Sequence, residues 1–270
     1  MYRSECENCN VVKKAYFLSD IHLGAHYRMD SKVAECRIVG FLDSIKEDAD
    51  EIYLLGDVLD YWYEYRTVVP RGYVRFFGAL ARLADSGVKI TWIIGNHDIW
   101  IFDYLPSELG VRVVDGVLDT QVLGATRMVM AHGDGQGVRN LKFKIIRNIF
   151  RNRLCQRLYA AVHPRWTVPL AHLWSSSSRE SGEGRSQADA QAAAAQERGL
   201  AKSMARLYDF CEEYQMEAKD PKPRYYLFGH LHRRGERALF DGAEMIVLPA
   251  WMGEHGFGCY DGKSFEFCTF

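Results

Sequence analysis

Short apolar runs rich in β-branched and aromatic residues recur along the chain, and each of five of them is followed, one residue on, by Asp, His or Asn. The runs are 15–18, 52–55, 90–94, 128–130, 225–228 and 245–248. Their length and composition predict buried strands. Between the first three lie helical patterns: 31–47, with Val33, Ile38, Phe41, Leu42 and Ile45 on one face, and 72–86. Strands alternating with amphipathic helices require an α/β architecture, a central sheet stack covered by helices. The segment 236–270 holds short strands with Asp241-Gly242 and Asp261-Gly262 turns, so the sheet is expected to end antiparallel.

The polar residues fall where an α/β sheet places ligands, just beyond the carboxyl ends of strands. Asp20-Ile21-His22 follows the first run, Gly56-Asp57-Val58-Leu59-Asp60 the second and Gly95-Asn96-His97-Asp98 the third. His132-Gly133-Asp134 and Gly229-His230-Leu231-His232 follow the fourth and fifth. Any one of these histidines alone reads as a hydrogen-bonded structural residue. Five clusters at five strand ends point instead to one metal-binding crevice. Mixed imidazole and carboxylate donors suit Mn, Fe or Zn, and the absence of Cys argues against a structural zinc. Two ions a few ångströms apart would clamp the oxygens of an in-line phosphoryl displacement. Asp60, Asp98 and Asp134 either orient ligand imidazoles or serve as turn and cap residues. His26, His163, His172 and His255 lack ligand-like neighbours and read as structural or solvent-facing.

Composition sets limits on the partners. The 270 residues carry a formal net charge of -1, which excludes a polyanion binder acting through bulk charge. No recognised nucleic-acid module is present. No apolar run reaches membrane-spanning length, and the N-terminal residues 1–14 form a polar tail without a secretory signal, so a cytoplasmic protein is expected. The seven cysteines are odd in number and scattered, fitting free thiols, and Cys6 and Cys9 lack the second pair of a zinc site. Region 135–200 breaks the rhythm: from Gly135 to Arg179 there are nine Lys or Arg and no Asp or Glu. An apolar stripe (Leu141, Ile145, Ile146, Ile149, Phe150, Leu154) runs beside Lys142, Arg147, Arg151, Arg153 and Arg157. A Ser/Gly/Ala-rich stretch follows, expected to be mobile or loosely helical. The region reads as an insertion over the site within a domain of 15–270.

In this order, D-x-H, G-D-x-x-D, G-N-H-D, a lone H and G-H-x-H resemble the calcineurin-like metallophosphoesterase superfamily, from Asp20 to His232. The resemblance implies a four-layer αββα sandwich with a dinuclear site and a metal-activated water as nucleophile. It implies Asp20, His22 and His232 at one ion, Asn96, His132 and His230 at the other, and Asp57 between them. His97 matches the residue that donates a proton to, or stabilises charge on, the phosphoryl group.

One branch is more similar still. Residues 55–64, with Trp62 after Asp60, and His132-Gly133-Asp134 before a long basic insertion reaching Trp174 resemble the UDP-2,3-diacylglucosamine diphosphatases of lipid A synthesis. That resemblance implies cleavage of a diphosphate to UMP and 2,3-diacylglucosamine 1-phosphate, with two divalent ions, Mn²⁺ ahead of Fe or Zn. It makes 135–200 a helical lid, and the basic amphipathic stripe within it suits substrate contacts at Arg147, Arg151 and Arg157 and, over 139–174, an anionic membrane surface. The branch carries Arg where this chain has His97, whose identity follows the wider superfamily. The alternatives are a phosphoesterase of the same fold acting on another phosphodiester, nucleotide or phosphomonoester, and a non-enzymatic scaffold on that fold.

Overall fold

The computed structural model describes residues 12–25, 30–137, 141–167 and 190–270. Cys6, Cys9, His26, His172, Trp174 and the stretch 175–189, all singled out above, lie outside the described residues.

The first half winds as expected. Strands β1 (Lys14–Leu18), β2 (Ala49–Leu54), β3 (Lys89–Ile93) and β4 (Arg112–Val114) lie parallel, connected by helices α1 (Ser31–Ile45), α2 (Val74–Asp85) and α3 (Tyr104–Leu109). The C-terminal strands β10 (Gly256–Tyr260) and β11 (Phe265–Thr269) add antiparallel on the other side of β1, giving the order β11-β10-β1-β2-β3-β4. A second sheet, β5-β6-β7-β9-β8, is built from β5 (Leu118–Val122), β6 (Thr126–Ala131), β7 (Tyr225–Phe228), β8 (Gly235–Ala238) and β9 (Glu244–Val247). Its central strands β6, β7 and β9 run parallel.

Side-chain alternation along the strands explains the layering. Tyr16, Leu18, Ile52, Leu54, Ile90 and Trp92 face α1 and α2 and pack on Ile38, Phe41, Leu42, Phe76 and Leu80. Their neighbours Ala15, Phe17, Tyr53 and Ile93 face the second sheet and meet Met128, Met130, Leu227 and Ile246. The far face of that sheet, with Val129, Tyr226, Phe228 and Val247, is covered by Leu207 and Cys211 of α6 (Ala190–Glu217). The result is a four-layer αββα sandwich. Because both faces of each central strand are buried, their sequences are continuously apolar.

Local polar contacts fix the helices that carry the strand ends. Asp30 caps α1 by accepting from the Lys32 and Val33 amides at 2.9 and 3.3 Å. Helix α2 has no cap of its own. The buried Glu35 of α1 takes that role, accepting from the Arg75 and Phe76 amides at 2.8 and 3.2 Å.

Region 135–200 differs from expectation in one respect. The apolar stripe is not one helix face: α4 (Leu141–Arg151) ends before Asn152, whose side chain accepts from the Leu154 and Cys155 amides and starts α5 (Arg153–Ala160). Leu154 therefore belongs to a second helix, and Ile145, Ile149 and Leu154 are all exposed. Helix α6 begins at Ala190 and continues through residue 200 to Glu217.

Candidate metal centre

The strand ends of both sheets meet at one place. Asp20 and His22 follow β1, Asp57 follows β2 and Asn96, His97 and Asp98 follow β3. From the second sheet, His132 and Asp134 follow β6, and His230 and His232 follow β7. Turning side chains out of the strand direction into a common cleft takes an unusual backbone. Asp20, His22, Asp57, His230 and His232 have φ of 53, 48, 52, 68 and 53°. This left-handed region is costly for residues with a Cβ, and such strain collects at functional sites. Gly95 serves close approach: a Cβ there would lie 2.2 Å from Asp57 Oδ1.

Among the described residues, three sets of donors have ligand atoms within 4.8 Å of one another: Asp20, His22 and His232; Asp57, His132 and His230; and His22, Asp60 and His97. In the first set His232 Nε2 lies 3.2 Å from Asp20 Oδ1 and 3.3 Å from His22 Nε2. In the second, His132 Nε2 lies 3.3 Å from Asp57 Oδ2 and 3.1 Å from Asn96 Oδ1. Asp57 Oδ2 is also 3.8 Å from His22 Nε2, which places this carboxylate between the two sets. All seven residues named as ligands from the sequence are thus brought together.

The carboxylates of the centre are buried, with Asp20, Asp57, Asp60, Asp98 and Asp134 each at most 6% exposed, while Asn96 and His232 are exposed at its mouth. Burial opposes ionisation of Asp57, but His132 and His97 outweigh it and hold the carboxyl well below its usual range. Burial likewise opposes protonation of His132, and Asp57 and Asp20 overcome it, raising that imidazole well above its usual value. His22 and His230 go the other way. Burial lowers both, and His132 helps bring His230 down to about 4, so these rings present neutral nitrogens. Asp20 Oδ1 is buried and accepts no hydrogen bond among the described residues.

The two readings of the remaining aspartates divide. Asp60 Oδ1 lies 3.4 Å from His22 Nδ1 and orients that ring, and the Asp60 carbonyl is 3.0 Å from His97 Nδ1. A carbonyl only accepts, so His97 Nδ1 carries the proton and Nε2 is its reactive nitrogen. Asp98 is a turn residue: it accepts from the amides of Gly95 and Val58 and from the Trp92 indole at 2.7, 3.0 and 3.1 Å. Burial raises its carboxyl to about 6. Asp134 pairs with Arg147 Nε at 3.3 Å. His163 is solvent-facing, and His255 is held at the Trp251 carbonyl, 2.8 Å away.

Of the arginines expected to meet substrate, Arg147 and Arg151 are ion-paired to the domain, with Asp134 and Asp115, and Arg157 is exposed on α5. Sequence reading missed the surface on which α4 and α5 sit. Tyr61, Tyr63 and Trp100, beside the metal-site loops, form an aromatic cluster with Phe150 and Tyr159. Tyr63 donates to the Gln156 carbonyl at 2.6 Å and Trp100 to the Phe150 carbonyl at 2.9 Å; Tyr61 and Tyr159 share a hydroxyl bond of 2.9 Å. The signal was the aromatic run around Trp62, whose partners lie some 90 residues away.

A family model for the calcineurin-like phosphoesterases matches residues 13–234. A UDP-2,3-diacylglucosamine hydrolase of Porphyromonas gingivalis is 40% identical over 254 residues, 93% of this chain and 95% of that protein. One of Serratia proteamaculans is 26% identical over 243 residues, covering 87% and 90%. Among solved structures, the Escherichia coli phosphoesterase Yfce overlaps with a TM-score of 0.42 at 13% identity, covering 95% of this chain and 92% of that one.

Proposed function

The chain belongs to the calcineurin-like phosphoesterase family, and from that premise we propose that it hydrolyses the diphosphate of UDP-2,3-diacylglucosamine, releasing UMP and 2,3-diacylglucosamine 1-phosphate. The observation that carries this reading is 40% identity to a hydrolase of that name, sustained along 93% of the chain rather than confined to the motifs.

The donor set fits a pair of divalent ions. Five buried carboxylates crowd a cleft in which Arg147 is ion-paired to Asp134 at the edge, and a buried Asp20 oxygen lacks a donor. Such a cluster demands cationic compensation. Asp20, His22 and His232 would hold one ion, Asn96, His132 and His230 the other, and Asp57 would bridge. The nitrogen and oxygen donors, with no thiolate, favour Mn²⁺, with Fe or Zn as the alternatives. Bound ions supply Lewis acidity, acidifying a water and neutralising phosphoryl charge. The protein residues do the rest. Leu55 fixes the His132 ring through its carbonyl, 2.8 Å from Nδ1, so that Nε2 faces the cleft. His97, whose ring meets that of His22 at 4.9 Å, would donate from Nε2 to the phosphoryl group as the imidazolium, with Nδ1–H kept on the Asp60 carbonyl.

Residues 135–200 act as the lid that receives the diacyl end of the substrate, with Arg147, Arg151 and Arg157 on its phosphate side. On the outer side of α5 and the turn after it, Leu154, Leu158, Val162 and Trp166 are exposed between Arg153 and Arg165. An apolar ridge flanked by arginines suits peripheral contact with an anionic membrane on its cytoplasmic face. No helix of the described residues is long and apolar enough to cross a membrane.

The test is Mn²⁺-dependent release of UMP from UDP-2,3-diacylglucosamine, compared with hydrolysis of UDP-N-acetylglucosamine, ADP-ribose and bis-p-nitrophenyl phosphate. Fast turnover of the diacyl substrate alone is expected. Turnover of only the small substrates would keep the phosphoesterase and discard this substrate.

A further inference from the structure

Ser19 stands between β1 and the first metal-site carboxylate, and neither the motifs nor the family comparison gives it a task. It is fully buried. Its hydroxyl lies 2.6 Å from Asp20 Oδ2 and 3.2 Å from the Leu55 carbonyl. A hydroxyl has one proton, and the shorter contact, to a carboxylate, is the charge-assisted one. The same Oδ2 also accepts the His230 amide at 2.9 Å. One oxygen of Asp20 is therefore held by two donors, from opposite sheets. The other, Oδ1, accepts none and faces His232 Nε2 at 3.2 Å and His22 Nε2 at 3.9 Å.

The chain makes room for this hydroxyl. A Cβ on Gly229 would fall 1.7 Å from Ser19 Oγ and 2.8 Å from Asp20 Oδ2. The glycine of G-H-x-H thus has a physical reason: it clears the space in which Ser19 reaches Asp20.

We propose that Ser19 is a positioning residue of the metal centre: by donating to Asp20 Oδ2 it sets the carboxylate rotation so that Oδ1 alone is presented to a divalent ion held with His22 and His232. The inference rests on the reading of Asp20 as a ligand. Without the hydroxyl, Oδ2 keeps only the His230 amide and the carboxylate is free to turn. Loss of such an outer hydrogen bond typically weakens a metal site by about 10- to 100-fold.

The experiment is a Mn²⁺ titration of metal-stripped full-length wild type, Ser19→Ala and Asp20→Asn, followed by electron paramagnetic resonance of free Mn²⁺, with thermal melting of each metal-stripped chain. Ser19→Ala is expected to bind at one of two sites about 10- to 100-fold more weakly. Its hydrolytic rate should recover as Mn²⁺ is raised. A merely structural role would lower the melting temperature of the stripped chain and leave both affinities alone. Wild-type affinity at both sites in Ser19→Ala, beside a lost site in Asp20→Asn, overturns the role of Ser19 alone. Two wild-type sites in Asp20→Asn would instead remove the ligand reading on which it rests. Should Ser19→Ala not fold, Ser19→Cys keeps the shape with a weaker donor, and an affinity between wild type and the full loss is expected; unchanged affinity there also overturns the proposal.

Discussion

Asp20, His22, Asp57, His230 and His232 hold left-handed backbone conformations that glycine would adopt without cost. Retaining side chains there costs about 1 kcal/mol each in stability relative to relaxed backbone. His232 tests this directly. With metal stripped, His232→Gly should be more stable than His232→Ala by about 1 kcal/mol, because both lose the imidazole and only alanine keeps the strained φ of 53°. Equal urea midpoints for the pair would mean the backbone relaxes there at no cost. His97 differs in kind: its amide donates to Asp57 Oδ1 at 2.8 Å, and that bond survives truncation of the side chain. His97→Ala should lower kcat by about 10²- to 10⁴-fold, the usual range for a lost acid-base group, while Mn²⁺ stoichiometry holds. Retained turnover would remove its catalytic role. All these residue types were legible as clusters after apolar runs. Their conformations were not, because nothing in D-x-H or H-x-H announces a positive φ in a non-glycine residue.

At the scale of elements, long strongly periodic segments were read well: α1, α2 and the strands that precede the metal motifs fall within a few residues of expectation. Short elements were not. Strand β4 has three residues and α3 six, too few for a period to show, and both are held by neighbours rather than by propensity. Strand β5 reads Leu-Asp-Thr-Gln-Val, polar at its centre because it lies at a sheet edge. There Asp119 accepts from Arg127 Nε and Nη2 of β6 at 2.8 and 2.6 Å, and from Tyr214 of α6 at 2.6 Å. Arg127, then Tyr214, hold the Asp119 carboxyl below its ordinary 3.8. A lowered folded value means the stabilisation is complete above the unfolded value and is lost as pH falls through the folded one. Asp119→Asn should therefore cost about 1 kcal/mol at neutral pH, and wild type and variant should converge in strongly acidic solution. A gap that persists unchanged at low pH would assign the effect to packing instead.

The whole molecule is where sequence reading depended most on resemblance. Continuous apolar strands say that both faces are buried, but not which strand neighbours which. The order β11-β10-β1-β2-β3-β4 needs the last two strands to return beside the first, a pairing with no local signature. In this order the two sheets meet at the candidate metal centre. Asp20, His22, Asp57 and Asn96 come from the first sheet, and His132, His230 and His232 from the second. The donor sets Asp20-His22-His232 and Asp57-His132-His230 each draw on both. A bound ion at either set is then a cross-link between sheets, added to the bonds from His132 Nδ1 to the Leu55 carbonyl and from the His230 amide to Asp20. An ion at about 100 times its dissociation constant stabilises the native state by about 2.7 kcal/mol, so two contribute roughly 5 kcal/mol. For a chain of this size that corresponds to roughly 10 to 20 °C in melting temperature. Chelation should lower the melting temperature by that amount, Mn²⁺ should restore it, and amides at the ends of β1 and β7 should gain the most hydrogen exchange. A melting temperature indifferent to chelator, with activity lost, would mean that the ions serve chemistry without clamping the sheets.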